Sequence, residues 1–300
     1  MPGAGHLVHM PFHILYRIGR YKEALDANKA AVAADEAYIA QAAPEGIYPQ
    51  AYYPHNVHSL MVSAQMAGDG KTVIKAAYKL NRIVSDEAAR NIAWVQPIKA
   101  APYFAHAQFS GAATVLAIPD PGDSLPYVKA MWHYARGVAH AAAGNVAGAK
   151  GESEAIAAIA QRTDFSDLVT GGVPAPDVLQ IAGLVVDARI AQAGGDLALA
   201  IATLERAVAL EDQLPYMEPP FWYYPLRQSL GAALLLAGRH DDAEQAFRAS
   251  LARTPNNGWA LYGLAEVYKK RGDNRAARTA ERLLAKTWAG TRDRLELARL

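Results

Sequence analysis

Five of the nine histidines lie in two short stretches near the start of the chain. His6, His9 and His13 fall within eight residues, and His55 and His58 follow in a second stretch, directly after a proline. Imidazole is a good ligand for Zn, Cu, Ni and Fe ions, and three or four imidazoles make a competent site. The two stretches therefore predict a transition-metal site built from these five side chains.

Two helix starts would have to position these histidines. Pro11 suits the first turn of a helix, so His13 is expected on that helix, with His6 and His9 in the preceding loop or on a helix kinked at the proline. His55 and His58 are three residues apart and would share one helix face. The alternative is a polar groove lining of neutral histidines that binds an acidic or aromatic ligand.

A second set of residues could line the same groove. Residues 216–231 combine aromatic side chains with a glutamate and an arginine. In such a groove the arginine would hold an anionic group of the ligand, and the aromatic rings would stack against the ligand. A smaller version of this pattern occurs at residues 132–137. The predicted groove residues are Glu218, Tyr223, Tyr224, Arg227, Trp132 and Arg136. Packing between hairpins is the alternative, and it is favoured for Phe221 and Trp222.

A recurring phrase predicts the scaffold. A glycine is followed five residues later by an alanine at Gly19/Ala24, Gly144/Ala149, Gly195/Ala200, Gly238/Ala243 and Gly272/Ala277. The last two glycines are 34 residues apart, which is the tetratricopeptide period. Small residues let paired helices approach closely. The pattern predicts an all-α, tetratricopeptide-like superhelix of α-α hairpins, a solenoid, with one helix over 220–237 and the longest loop over 163–176.

We expect a single repeat domain over residues 1–300. His-rich hairpins would occupy about 1–118, more regular hairpins 125–288, and a C-terminal tail 289–300.

Composition excludes several classes of function. The chain has no cysteine, so thiolate metal sites, disulfides and cysteine nucleophiles are excluded. A formal net charge of +1 gives no field that would attract nucleic acid. No apolar run approaches the roughly 18 residues of a membrane span, and the first residues do not form a signal peptide. We expect a cytoplasmic protein that binds neither nucleic acid nor membrane.

Several longer motifs together resemble a bacterial family of tetratricopeptide-repeat proteins. They include GHLVHMPFHI, YPHNVH, EPPFWYYPLRQSLGA and PNNGWALYGL. Phe12 stands where the family pattern has serine, and the histidines are kept. The resemblance covers nearly the whole chain and implies the architecture and a shared groove, without implying a reaction. Members of the family are longer, with another His-rich helix upstream, so we expect that an upstream portion precedes this chain.

Two functions follow as hypotheses. The first is a binding scaffold whose His-lined concave groove holds a peptide, a protein or a small ligand. The alternative is a metal-dependent enzyme that uses the cluster of His6, His9, His13, His55 and His58, with Zn, Cu or Fe as the cofactor. Stoichiometric metal in the purified protein would favour the second hypothesis.

Overall fold

The described residues fold into helices and short connections without any β-strand, which confirms the predicted all-α class. The computed structural model describes residues 4–292 and 295–300. None of the helices in this part of the chain combines the length and the apolar character that a bilayer crossing requires. The α-helices are α1 Gly5–His9, α2 Pro11–Arg17, α3 Tyr21–Ala42, α4 Tyr53–Ala67, α5 Gly70–Ile83, α6 Asp86–Asn91, α7 Val95–Phe109, α8 Ala112–Leu116, α9 Pro126–Ala142, α10 Val146–Arg162, α11 Ser166–Thr170, α12 Ala175–Ala193, α13 Leu197–Glu211, α14 Leu226–Leu236, α15 His240–Arg253, α16 Gly258–Lys270 and α17 Asn274–Thr287.

Four of the hairpin turns share one local design. A glycine with positive φ ends the first helix, and the next residue, an Asn or Asp, caps the second helix by accepting a backbone N–H. These pairs are Gly68-Asp69, Gly144-Asn145, Gly195-Asp196 and Gly272-Asp273. Glycine adopts this backbone conformation without a steric penalty. The five alanines of the repeat pattern are buried, as predicted, and Val73 is buried at the same position after Gly68.

The superhelix closes on itself. The side-chain amide of Asn256, in the α15–α16 turn, lies 3.3 Å from the carbonyl oxygen of Gly19 in the first turn. Lys22 donates to the carbonyl oxygen of Lys286 at 2.8 Å, and the backbone N–H of Ala289 donates to Ala67 at 2.7 Å. The first and last hairpins are therefore in contact, and the concave face surrounds an interior.

Part of an extended stretch of chain lies in that interior. Residues 212–225, here called the interior segment, connect α13 to α14 without a helix, so the predicted helix over 220–237 begins only at Leu226. Prolines at 215, 219, 220 and 225 explain the difference, because proline lacks the N–H that a helix interior needs and disfavours helix in the preceding residue. The first half of the interior segment is largely exposed, and residues 221–224 are buried. Residues 163–176, predicted to be the longest loop, contain the short helix α11.

Candidate functional site

Two kinked helix starts bring the histidines to the interior. The first helical stretch is broken at Met10, so His6 and His9 lie on α1 while His13 lies in the first turn of α2. Pro11 at the start of α2 accounts for the break. His55 follows Pro54 in the first turn of α4, which continues directly from a π-helical turn over Tyr48–Tyr52. Both predicted helix starts are confirmed, with His6 and His9 on a helix rather than in a loop.

Four of the five predicted histidines converge, and we call His6, His9, His13 and His55 the histidine cluster. The Nε2 atom of His9 lies 3.1 Å from Nε2 of His13 and 3.1 Å from Nε2 of His55. The ligand nitrogens of His6, His9 and His55 all lie within 4.8 Å of one another. His9 therefore stands at the centre of the cluster.

Neighbouring side chains fix the protonated nitrogen of His9. Its Nδ1 lies 2.7 Å from Oδ1 of Asn28. The amide nitrogen of Asn28 donates to the carbonyl oxygen of Ala24 and to Ser63, so Oδ1 must be the acceptor. Nδ1 of His9 therefore carries the proton, and Nε2 presents a lone pair to the centre of the cluster.

Glu218 fixes which nitrogen of His13 faces the cluster. Nδ1 of His13 lies 2.9 Å from a carboxylate oxygen of Glu218 in the interior segment, and an ionised carboxylate only accepts hydrogen bonds. Nδ1 therefore donates to Glu218, and Nε2 points to His9 at 3.1 Å. In neutral His13 this Nε2 is a lone pair, and the two facing lone pairs of His9 and His13 then need a proton or a cation between them.

A bound cation would satisfy this contact. In a tetrahedral site with metal–nitrogen bonds of about 2.0–2.1 Å, the edge between two nitrogens is about 3.3 Å. The two separations of 3.1 Å around His9 are close to that value. Carboxylate and amide acceptors on the far ring nitrogens are also the outer partners that metal-bound histidines usually have. The residues therefore fit a transition-metal ion.

Burial keeps the central imidazoles uncharged. Desolvation lowers the pKa of His9 to about 4. The neighbouring histidines lower this pKa further, and the hydrogen bond that His9 donates to Asn28 opposes the shift. The pKa of His55 lies well below its usual value for the same reasons, with burial as the largest cause. Neutral imidazole is the form that binds metal.

His58 lies apart from the cluster. It is buried, its ring meets that of Tyr223 edge-on at 5.2 Å between centroids, and burial lowers its pKa to about 3. Its Nε2 is buried without a hydrogen-bond partner among the described residues.

The six predicted groove residues fall at different places. Glu218 joins the histidine cluster through His13. Tyr223 is buried and its hydroxyl donates to the carbonyl oxygen of Pro97, and Tyr224 hydrogen-bonds to another buried tyrosine, Tyr134. Arg227 lies in the first turn of α14, and the other two, Trp132 and Arg136, lie on α9.

On α9, Arg136 and Trp132 contact each other, and their polar groups have partners within the protein. The Arg136 guanidinium lies 4.5 Å over the Trp132 ring, and it also pairs with Glu152 at 2.7 Å. The indole N–H of Trp132 donates to the carbonyl oxygen of Ile118. Neither residue lines the two cavities that flank the interior segment.

Two cavities flank the interior segment. The histidine-side cavity, about 220 Å³, is bordered by His6, His55, His58, Trp94 and Phe221 among others. The arginine-side cavity, about 190 Å³, includes Arg17, Glu211, Arg227, Ser250 and Arg253. Glu218 borders both.

Arg227 is paired on the arginine side. Its guanidinium binds Asp212 through two contacts of 2.5 and 2.6 Å. Arg253 reaches the same carboxylate at 3.0 Å. The carboxylate therefore already occupies the position in which an anionic ligand was predicted.

Sequence reasoning missed two polar residues of α3. Asn28 and Asp35 are seven residues apart on the face that also carries buried Ala24, Ala31 and Val32. Asp35 accepts hydrogen bonds from Tyr48 at 2.6 Å and Asn56 at 2.8 Å and lies against α1. Polar residues at buried positions of an otherwise apolar helix face were the available signal, since such groups require partners.

Glu211 gives a prediction for the stability of the fold. Desolvation raises its pKa from 4.5 to about 7, with the hydrogen bond from the backbone of Leu226 and nearby arginines opposing the shift. The unfolded chain then ionises before the folded one, so stability is lost as pH rises from about 4.5 to 7. The free energy of unfolding of Glu211→Gln, measured relative to that of wild type, should rise by about 2–3 kcal/mol from pH 4.5 to pH 8. Urea unfolding at both pH values measures this gain. Glu205→Gln, at an exposed position, should show none, and an equal response of both variants would contradict the prediction.

A comparison with known protein families supports the repeat scaffold. Residues 234–298 match the tetratricopeptide repeat family model. This stretch covers α15 to α17, the part of the chain with the most regular hairpins. Repeats of this class stack into superhelices that present concave binding surfaces. A search of curated proteins finds no match.

Proposed function

We propose that this protein is a tetratricopeptide-type scaffold that binds one transition-metal ion in its interior. His9 and His55 would be the central ligands, and His13 would be the third. His6 is close enough to replace His13 or to add a fourth nitrogen. The observation that carries the proposal is the convergence of three imidazoles, in which Nε2 of His9 lies 3.1 Å from Nε2 of both His13 and His55. Zn, Cu, Ni and Fe ions all accept imidazole nitrogen.

The scaffold supports this role by rigidity. The ligands come from α1, α2 and α4, and Asn28 and Glu218 hold two of the rings from α3 and from the interior segment. The preorganised rings would lose little freedom on binding an ion.

A peptide-binding scaffold is the second candidate, and the tetratricopeptide match favours it. The interior segment argues against a peptide in the concave interior, because it already fills that space with buried aromatic side chains. The two cavities beside the interior segment, at about 190 and 220 Å³, are smaller than the sites that hold drug-sized ligands. A larger cavity of about 510 Å³ lies elsewhere, between α7, α9 and α12. A peptide beside the histidine cluster would have to displace part of the core.

The experiment that tests the proposal is elemental analysis of the protein purified without an affinity His-tag. We expect about one equivalent of a single transition metal, either as purified or after reconstitution with Zn, Cu, Ni or Fe followed by gel filtration. Less than a tenth of an equivalent under every condition would contradict the proposal.

Glu218 allows a sharper test of the ligand set. Removing the carboxylate leaves Nδ1 of His13 without its acceptor, and loss of such an outer partner lowers metal affinity by about 10–100-fold. We expect this loss in Glu218→Ala, measured by competition with a chelating dye. Glu218→Gln retains an acceptor oxygen and should recover most of the affinity, and Glu205→Ala should bind as wild type does. Equal affinity in Glu218→Ala and wild type would show that His13 is not oriented for binding.

A further inference from the structure

The arginine-side cavity is bordered by two tyrosines whose hydroxyls the protein leaves without partners. Tyr16 and Tyr21 both line the cavity and are 8% and 2% exposed. Neither hydroxyl has a hydrogen-bond partner among the described residues, and neither belongs to the unpartnered polar atoms there that are sealed from solvent. Since these side chains keep so little surface, their accessible oxygens border the cavity. A ligand inside it can therefore reach both hydroxyls.

Charged groups add donors and acceptors to the same wall. The guanidinium of Arg17 lies 5.4 Å over the Tyr216 ring and has no hydrogen bond or ion pair within the described part of the chain. In the same part of the chain, the carboxyl group of Glu211 accepts only the backbone N–H of Leu226, at 3.1 Å, so it has free acceptor positions. The wall therefore suits a ligand with several hydroxyl groups, since each hydroxyl both donates and accepts.

The charges around this cavity nearly cancel. Two of its three arginines share the carboxylate of Asp212. The third, Arg17, borders the cavity together with Glu211 and Glu218. Three positive charges thus accompany three carboxyl groups, and burial raises the pKa of Glu211, so at most one positive charge is left over. Neither an anion nor a cation is strongly attracted, and a neutral ligand is favoured.

Aromatic rings and the size of the cavity define the ligand further. The lining includes the aromatic side chains of Tyr16, Tyr21, Tyr216, Phe221, Trp222 and Tyr223. Flat aromatic surfaces suit the apolar face of a ring. A cavity of about 150 Å³ holds benzene, so about 190 Å³ accommodates one six-membered ring with short substituents. Tyr216 and Met217 are exposed, so the cavity is reached from solvent at these side chains.

We propose that the arginine-side cavity binds one sugar ring, either a free monosaccharide or the end ring of a longer saccharide. Hydroxyl groups of the sugar would pair with Tyr16, Tyr21 and Glu211, while its apolar face stacks on the aromatic wall. The proposal is independent of the metal site, because no histidine lines this cavity.

The test uses the full chain after treatment with a chelator, so that its outcome is separate from that of metal binding. Glucose, galactose, mannose, maltose and lactose are titrated, and binding is followed by saturation-transfer NMR and calorimetry. We expect at least one of these sugars to bind with a Kd of about 1–10 mM. Cyclohexanol, a ring with a single hydroxyl, should bind about tenfold more weakly. A disaccharide that binds more tightly than its monosaccharides would identify the end of a longer saccharide as the ligand.

Two outcomes with wild-type protein overturn the proposal. One is that no sugar binds with a Kd below about 50 mM. The other is that benzoate or tetramethylammonium binds more tightly than every sugar, because the cavity would then select a charged ligand.

Variants test the assignment of the hydroxyls. Tyr16→Phe and Tyr21→Phe each keep the ring and remove an oxygen that has no partner among the described residues, so both should fold as stably as wild type. We expect sugar affinity to fall about three- to tenfold in each. Tyr103→Phe is the matched control, since Tyr103 is as buried as Tyr16 but lies on α7 outside this cavity, and it should leave the affinity unchanged. Unchanged affinity in both Tyr16→Phe and Tyr21→Phe overturns the proposal.

Discussion

Replacement of His9 by alanine is expected to abolish stoichiometric metal binding. His9 is the only member of the cluster whose Nε2 lies 3.1 Å from two other imidazole nitrogens, so its removal leaves no pair of ligands at bonding separation. The loss of a central ligand should exceed the roughly 100-fold effect of losing an outer partner. We expect affinity to fall by more than about 100-fold, measured by chelator competition with Zn.

Two controls separate this loss from unfolding. The His9→Ala change leaves Oδ1 of Asn28 without its partner, which costs about 1–3 kcal/mol of stability, so thermal unfolding of the metal-free variant must be recorded beside the affinity. His13→Ala removes a ligand that is only half-buried and should retain the fold. His106→Ala, at a buried histidine outside the cluster, should bind metal as wild type does. Retained affinity in His9→Ala would refute the central role of this residue.

Replacement of Tyr223 by alanine is expected to destabilise the whole fold. Tyr223 is 2% exposed, it meets the rings of Phe104 and His58 edge-on, and its hydroxyl donates to a buried carbonyl oxygen. Truncation of a large buried aromatic side chain costs about 3–5 kcal/mol. We expect a loss of this size in the free energy of unfolding, measured by urea denaturation of the metal-free protein.

The interior segment offers a matched control for this change. Tyr216 lies seven residues earlier in the same extended stretch and is 68% exposed. Tyr216→Ala should therefore cost less than about 1 kcal/mol. If both variants lost the same small amount, the interior segment would be a loop that docks loosely on the superhelix. The concave interior would then be free to receive a peptide.

Local patterns in the sequence were sufficient to predict the scaffold. Glycines at the hairpin turns, each followed five residues later by an alanine, indicate close contacts between neighbouring helices. Such contacts repeat along the chain. The break at Pro11 was equally predictable, because proline acts on its own helix. The aromatic and proline-rich stretch after Glu211 was misread as a helix start, since hairpin packing and an extended interior path both use large apolar side chains.

The candidate site depends on contacts between distant residues, which explains what sequence reasoning missed. His13 and Glu218 are 205 residues apart, and they meet only because the superhelix closes and the interior segment passes beneath the first hairpin. No local period encodes that closure. The separation of His58 from the other histidines has a similar cause: it lies one helical turn deeper than His55 on α4, facing Tyr223 instead of His9.

X-ray absorption spectroscopy of the protein loaded with one equivalent of Zn would test the central claim most directly. We expect a first shell with about three imidazole nitrogens at about 2.0–2.1 Å and the outer-ring scattering that imidazole gives. In Glu218→Ala the number of imidazoles should fall as His13 loses its orientation. A first shell of oxygen atoms only, or a single imidazole in the wild-type protein, would contradict a metal site at the histidine cluster.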